Sequence, residues 1–250
     1  VLAYLAVMSG LYVVYLSGET LLSTVLTRFL CRHSREPQFG LPGGLAYQDV
    51  ILGSLSDDDR MRYATVSSDL QAGSRDGRYG SLLVQQMPLR NTFDGVLDTL
   101  RMVERTRPVH VLVVDSVDMV RLSTARRNYS YREALSDVIE EFASLAVGYA
   151  GGRGLSVISP YQVNRTSYAE AIENSGRYAL SALSETAMAE RRAAVVLSLL
   201  RIPESPGSLR AQVLKNREGP VVDFDLEIDD RSSYIGTSAG SMAASMGVGG

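Results

Sequence analysis

Apolar residues along this chain fall into two alternating kinds of segment. Short, β-rich runs occupy 11–16 (LYVVYL), 81–85 (SLLVQ), 109–114 (VHVLVV), 155–159 (LSVIS) and 194–200 (AVVLSLL). Between them the spacing is helical. Leu22, Val25, Leu26, Phe29 and Leu30 recur at helical intervals, as do Phe93, Val96, Leu97, Leu100 and Val103. Leu135, Val138, Ile139, Phe142 and Leu145 do so behind Ser130-Tyr131-Arg132-Glu133, which has the form of a capping box. Gly148, Gly151 and Gly152 mark where that helix ends. Buried strands alternating with amphipathic helices predict an α/β fold: a mainly parallel sheet covered on both faces.

The two ends of the chain read differently. Val222, Phe224, Leu226 and Ile228 alternate with Asp223, Asp225 and Glu227, so one face is wet, which predicts a C-terminal antiparallel hairpin at a sheet edge. The opening VLAYLAVMSGLYVVYL is nearly continuous and apolar, but Ser9 and Gly10 divide it. It is short for a membrane span and no basic residues precede it, so it reads as the end of a buried helix, a turn and a buried strand. Residues 34–60 read as a loop followed by a capped helix start, with Ser56 and Asp59 in the cap pattern. The small-residue stretch GTSAGSMAASMGVGG predicts a disordered tail over 231–250, leaving 1–230 as one domain.

Composition narrows the chemistry. At 45% hydrophobic and 21% charged, the 250 residues are ordinary globular sequence. The formal net charge of −3 means that any nucleic-acid contact must come from a local basic lining. Cys31 is the sole cysteine, which excludes an intrachain disulfide and a cysteine-based metal cluster. His33 and His110 are too few for a metal site by themselves. A reducing, cytoplasmic setting is expected, with no membrane partner.

In open α/β sheets ligands bind beyond the carboxyl ends of the strands. The first run ends YLSGET, presenting Glu19; the third ends VLVVDSVD, presenting Asp115; the fourth ends SVISPYQVNR, presenting Gln162, Asn164 and Arg165. A buried strand ending in Asp fixes a carboxylate rigidly, which suits a magnesium ion or its water beside nucleotide phosphates. The hairpin lip LKNREGP adds Lys215 and Arg217, two cations at i and i+2, which project to the same side of a strand. Taken singly, each has a plain structural explanation: a helix-terminal acid, a buried amide, a solvated turn.

Their order changes the weighing. SGETLLSTVLTR resembles the strand-end Ser-Leu-Glu-Met segment of DnaB-type hexameric replicative helicases, including an Arg nine residues after the Glu. DVILGSLSDDDR resembles the Ile-x-x-Gly-x-Leu-x-Asp-x-Asp stretch of that family, VVDSVDMV its Walker B strand and YQVNR its Ser-Gln-Leu-Asn-Arg. ALSETAMAERRAAVVLSLLR runs without gaps beside the family's DNA-facing segment, and KNREGP resembles Lys-Gln-Arg-Asn-Gly-Pro. Six segments in the family's order cover residues 1 to about 230.

The resemblance implies a RecA-like P-loop NTPase fold and a motor that uses ATP or another NTP with Mg²⁺. It implies that Glu19 is the general base, that Asp115 holds the magnesium, and that Gln162 senses the γ-phosphate. Lys215 and Arg217 would reach the γ-phosphate of a neighbouring subunit. Arg165, Arg177, Ser184 and Glu185 would face single-stranded DNA. A homohexamer is implied, with primase and a helicase loader as further partners. Two departures stand out. No G-x-x-x-x-G-K-[ST] occurs, so the chain is expected to begin just after that loop and, as 250 residues, not to hydrolyse NTP. The DNA-facing segment has Ser184 and Ala187 where the family has Arg and Gly. A RecA-superfamily ATPase of recombination or repair and a hydrolysis-dead nucleotide-binding ring scaffold are the alternative readings.

Overall fold

In the computed structural model, residues 1–88, 91–123, 130–163, 165–174, 176–179, 187–203 and 205–237 are described. The element order is α1 (Leu2–Met8), β1 (Tyr12–Ser17), α2 (Leu22–His33), α3 (Tyr47–Leu52), α4 (Asp57–Asp76), β2 (Ser81–Gln86), α5 (Phe93–Glu104) and β3 (Val111–Asp115). It continues with α6 (Tyr131–Gly152), β4 (Ser156–Ile158), α7 (Arg165–Glu173), α8 (Ala187–Arg192), β5 (Val195–Arg201), β6 (Ser208–Asn216), β7 (Asp223–Asp229) and β8 (Tyr234–Gly236). Short 3₁₀ turns lie at Pro37–Phe39 and Val117–Met119.

Where the sequence reads as one domain, the chain's contacts divide into two compact units. Residues 1–161 with 231–233 form the first, and most of 162–237 the second. The first unit holds a four-stranded sheet in the order β2-β1-β3-β4, all parallel. Its central strands are buried on both faces, as the unbroken apolar runs predict. Val14, Leu16, Leu112 and Val114 pack on one side against Val96 and Leu100 of α5 and Val138 and Phe142 of α6. The Phe93 and Phe142 rings meet edge to face at 5.0 Å. On the other side Val13, Val111 and Val113 pack with Val7 of α1 and Phe29 of α2. A further cluster of Leu30, Cys31, Leu45 and Val66 ties α2 to α4.

Local signals account for most element ends. The Ser130 hydroxyl accepts from the Glu133 amide while the Glu133 carboxylate accepts from the Ser130 amide, completing the capping box of α6. Tyr149, Ala150 and Gly151 leave helical geometry, so regular helix stops at Gly148, where the glycines begin. Ser56 caps α4 by accepting from the Asp59 amide at 3.1 Å. Gly10, with φ of 83°, makes the turn between α1 and β1. The short helix α3 lies inside the stretch read as loop.

The second unit is an antiparallel sheet in the order β5-β6-β7-β8. Two expectations change here. The run 194–200 does not extend the parallel series, because β5 pairs antiparallel with β6. It carries apolar residues on both faces, with Val196 and Leu200 buried while Val195, Leu197 and Leu199 are exposed, and an apolar run alone cannot tell these cases apart. The expected hairpin is thus the middle of four strands. The tail expected to start at 231 supplies β8, since Tyr234 and Ile235 pair with Asp229 and Ile228; residues 238–250 lie outside the described ones. Ala171, Tyr178 and Leu200 form this unit's small core. Gln212, buried in β6, accepts from the Tyr178 amide at 2.9 Å and the Ser198 hydroxyl at 3.3 Å. Among the described residues no helix is long and apolar enough to cross a membrane.

Candidate functional site

The parallel sheet brings the ends of β1 and β3 together. Ser17 stands in register with Asp115 on one side and with Gln86 on the other. Just past Ser17 the Gly18 amide donates to the Asp115 carbonyl at 2.7 Å. Gly18 is required there by space. A Cβ would lie 2.6 Å from the Met119 sulfur and 3.2 Å from the Asp115 carbonyl oxygen. The turn after β1 is therefore pressed onto the turn after β3. Ser17, fully buried, shapes that turn: its hydroxyl donates to the Thr20 carbonyl at 2.6 Å and accepts from the Thr20 amide at 3.1 Å. Glu19 sits between them, exposed at the carboxyl edge of the sheet, the edge at which β3 ends in Asp115.

Asp115 is half-buried, and its Oδ2 accepts a hydrogen bond of 2.6 Å from the Tyr15 hydroxyl. Burial pushes the Tyr15 phenol up, and the bond to Asp115 adds to it, so the phenol stays protonated and donates. Beyond Asp115 the Val117 amide donates to the Ser159 hydroxyl at 2.9 Å, which ties the end of β3 to the end of β4. Asp118 follows, with its Oδ1 buried and no hydrogen-bond partner among the described residues. No group of three or more His, Cys, Asp or Glu side chains is arranged for a metal among the described residues. The donor set at Asp115 nevertheless fits Mg²⁺. That ion keeps several waters and binds through one or two carboxylates plus substrate phosphates, rather than in an all-protein cage.

The remaining candidates belong to the second unit. Gln162 is exposed in the segment after β4, and Arg165 is exposed at the start of α7. Arg177 pairs with Asp223 of β7 at 3.0 Å, largely in solvent. Ser184 and Glu185 lie outside the described residues.

Lys215 and Arg217 converge on one target. That target is the last turn of α8. The Lys215 ammonium donates to the carbonyls of Glu190 and Arg191, the latter at 3.1 Å. The Arg217 guanidinium donates to the Arg191 carbonyl at 2.7 Å and the Arg192 carbonyl at 3.3 Å. Final-turn carbonyls lack intrahelical donors and carry the negative end of the helix dipole, so two cations are favoured there. Arg217 is exposed and Lys215 half-buried.

Sequence reasoning did not single out Tyr15. The signal was present: a tyrosine in an otherwise aliphatic central strand, two residues before Ser17 and hence on the same face. It also passed over His33, which is fully buried and bonded on both ring nitrogens, to Tyr4 and to Asp69.

No protein-family model matches this chain, and no curated protein matches it by sequence. Solved structures do. The ATPase domain of G40P is similar over 94% of this chain and 78% of that one, with a TM-score of 0.76 and 15% identity. A DnaB-like replicative helicase, solved in work on its interactions with primase, is similar over 94% of this chain and 52% of that one. Its TM-score is 0.74 and its identity 16%, so the chain spans about half of that helicase's length. The fold is therefore that of DnaB-like helicase ATPase domains: a RecA-like parallel sheet flanked by helices, followed by an antiparallel sheet.

Proposed function

We propose that this chain is the motor part of a replicative DNA helicase, which hydrolyses NTP between the subunits of a hexameric ring and moves along single-stranded DNA. One observation carries the reading: Glu19 and Asp115 stand at the same carboxyl edge of two paired parallel strands, within a fold shared with helicase ATPase domains. That is where an open α/β sheet places a nucleotide.

Asp115, fixed by a buried strand, is the carboxylate that holds Mg²⁺ or its water. Held there, the ion would supply positive charge to offset the negative charge that develops during phosphoryl transfer. Glu19, exposed on a turn locked by Ser17 and Gly18, accepts the proton of the attacking water and orients it. Gln162 reports the γ-phosphate to the segment that follows. Lys215 and Arg217 serve the neighbour's phosphate, and to do so they exchange the carbonyls of α8 for phosphate oxygens. Arg165 and Arg177, with Ser184 and Glu185, face the DNA strand, and primase and a loader act on the assembled ring.

The test uses the full-length protein. It should hydrolyse NTP with Mg²⁺, faster when single-stranded oligonucleotide is added, and the DNA affinity should fall as salt rises. Glu19→Gln should lower kcat by ~10²–10⁴ while NTP binding persists. Full hydrolysis by Glu19→Gln, or no response to DNA, would sink the proposal.

A further inference from the structure

The hydrogen bond from Tyr15 to Asp115 has a strict geometric origin. Strands β1 and β3 run parallel with Tyr15 opposite Val113 and Ser17 opposite Asp115. Positions 15, 113 and 115 thus share one face, and Tyr15 and Asp115 are diagonal neighbours, a separation that an aromatic side chain spans. The ring itself packs with Val13, Val111 and Val113 beneath α1. Only its hydroxyl reaches the polar edge, where it meets Oδ2 at 2.6 Å. Arg28 of α2 adds its positive charge to the surroundings of that phenol. Among the described residues, Asp115 Oδ1 accepts no hydrogen bond. A carboxylate on a strand end has a soft χ2 torsion. One oxygen held by a buried, neutral donor removes that freedom and leaves the other oxygen for a ligand.

We propose that Tyr15 is a positioning residue for the metal carboxylate, holding Asp115 through Oδ2 so that Oδ1 is the oxygen offered to Mg²⁺ or its water. Tyr15 does not touch the nucleotide and moves no proton. Its contribution is orientation, of the kind by which partners behind metal ligands change affinity or activity by ~10–100-fold. The inference rests on Asp115 being the carboxylate that binds the ion.

The experiment compares full-length wild type, Tyr15→Phe, Asp115→Asn and the double variant. Mn²⁺ binding is read by electron paramagnetic resonance in the presence of a non-hydrolysable NTP analogue, alongside steady-state hydrolysis. Phe keeps the ring under α1, and the thermal midpoint checks that it folds. Tyr15→Phe should bind Mn²⁺ about 10-fold more weakly, with kcat reduced and the KM for NTP unchanged. In the Asp115→Asn background the same change should have no further effect, since the two groups act as a unit. Wild-type or tighter Mn²⁺ binding by Tyr15→Phe, beside a clear loss in Asp115→Asn, overturns the role of Tyr15 alone. Unchanged Mn²⁺ binding in Asp115→Asn overturns the reading of the site, and this inference with it. If Tyr15→Phe does not fold, isotope-edited infrared spectra of the wild-type tyrosines decide. A phenol that still donates to a carboxylate after the metal and analogue are added supports the role, and one that lets go overturns it.

Discussion

Buried with no exposure, the His33 imidazole is ringed by Tyr4, Phe39 and Tyr79, at centroid distances of 5.9, 5.2 and 5.5 Å. Its nitrogens meet the Tyr4 hydroxyl at 2.9 Å and Asp69 Oδ2 at 3.0 Å. Burial lowers its pKa more than Asp69 and Glu36 raise it, with Arg32 adding to the lowering, so the folded protein holds it neutral at pH 7. The unfolded chain, with an ordinary value of 6.5, binds the proton more readily. Stability should therefore be fully present above pH 6.5 and fall as pH drops below it, by at most about 1.4 kcal/mol per pH unit. Asp69 acts in a lower window. Burial pushes its carboxyl up, but hydrogen bonds from His33, Arg78 and Tyr79 outweigh this, so its contribution is lost only as pH falls below 3.8. Urea midpoints measured from pH 7.5 down to 5 should show the first slope in wild type and not in His33→Gln, which does not titrate. A second residue-scale expectation concerns Gly80. A Cβ there would stand 1.9 Å from the Leu11 carbonyl oxygen, and backbone cannot yield as a side chain does. Gly80→Ala should cost about 1–3 kcal/mol in the same assay. Neither site was legible in the sequence, because the partners of His33 lie 29 and 36 residues away and nothing local announces them.

Elements whose ends rest on neighbours in sequence were the legible ones. The box at Ser130 and Glu133 places the start of α6 from four residues alone, and Ser130→Ala should lower stability by about 1 kcal/mol. Helix α8 shows the opposite case. Its six residues cannot sustain a helix by propensity, and its last turn is held by Lys215 and Arg217 from β6 and the turn beyond. The sequence put those two cations on one side, but what they face depends on chain brought back from 24 to 26 residues away. If they hold α8 when no neighbour's phosphate is present, removing them should loosen it. Amides of residues 187–194 should exchange with deuterium faster in a Lys215→Ala, Arg217→Ala double variant than in wild type, with β6 and β7 protected equally in both. Adding an NTP analogue to the assembled full-length protein should speed exchange at the same amides. Unchanged exchange in the double variant would mean that α8 stands without the cations.

At the scale of the molecule, unbroken apolar runs separated by amphipathic helices made the parallel sheet legible, because β1 and β3 are buried on both faces and only the crossover arrangement achieves that. The division into two units was not legible. The antiparallel sheet is wet on one face, and its core of Ala171, Tyr178 and Leu200 draws on residues with no common periodicity. Strand ends carried Glu19 and Asp115 to one edge, which a reader of the sequence could infer from parallel topology alone. What a ring would add is a site completed in trans, and this has a test that no single chain can pass. On the proposed reading, Arg217→Ala should cost ~10³–10⁵ in NTP hydrolysis by the full-length assembly. A Glu19→Gln assembly should be inactive too, for a different reason. When the two variants are mixed and allowed to exchange subunits, some interfaces join an intact Glu19 from one chain to an intact Arg217 from the next, and part of the activity should return. The recovered rate should rise and then fall as the mixing ratio passes through equal proportions, since only unlike neighbours make a complete site. No recovery despite demonstrated exchange, or full activity in Arg217→Ala alone, would leave Lys215 and Arg217 as the C-terminal caps of α8 and nothing more.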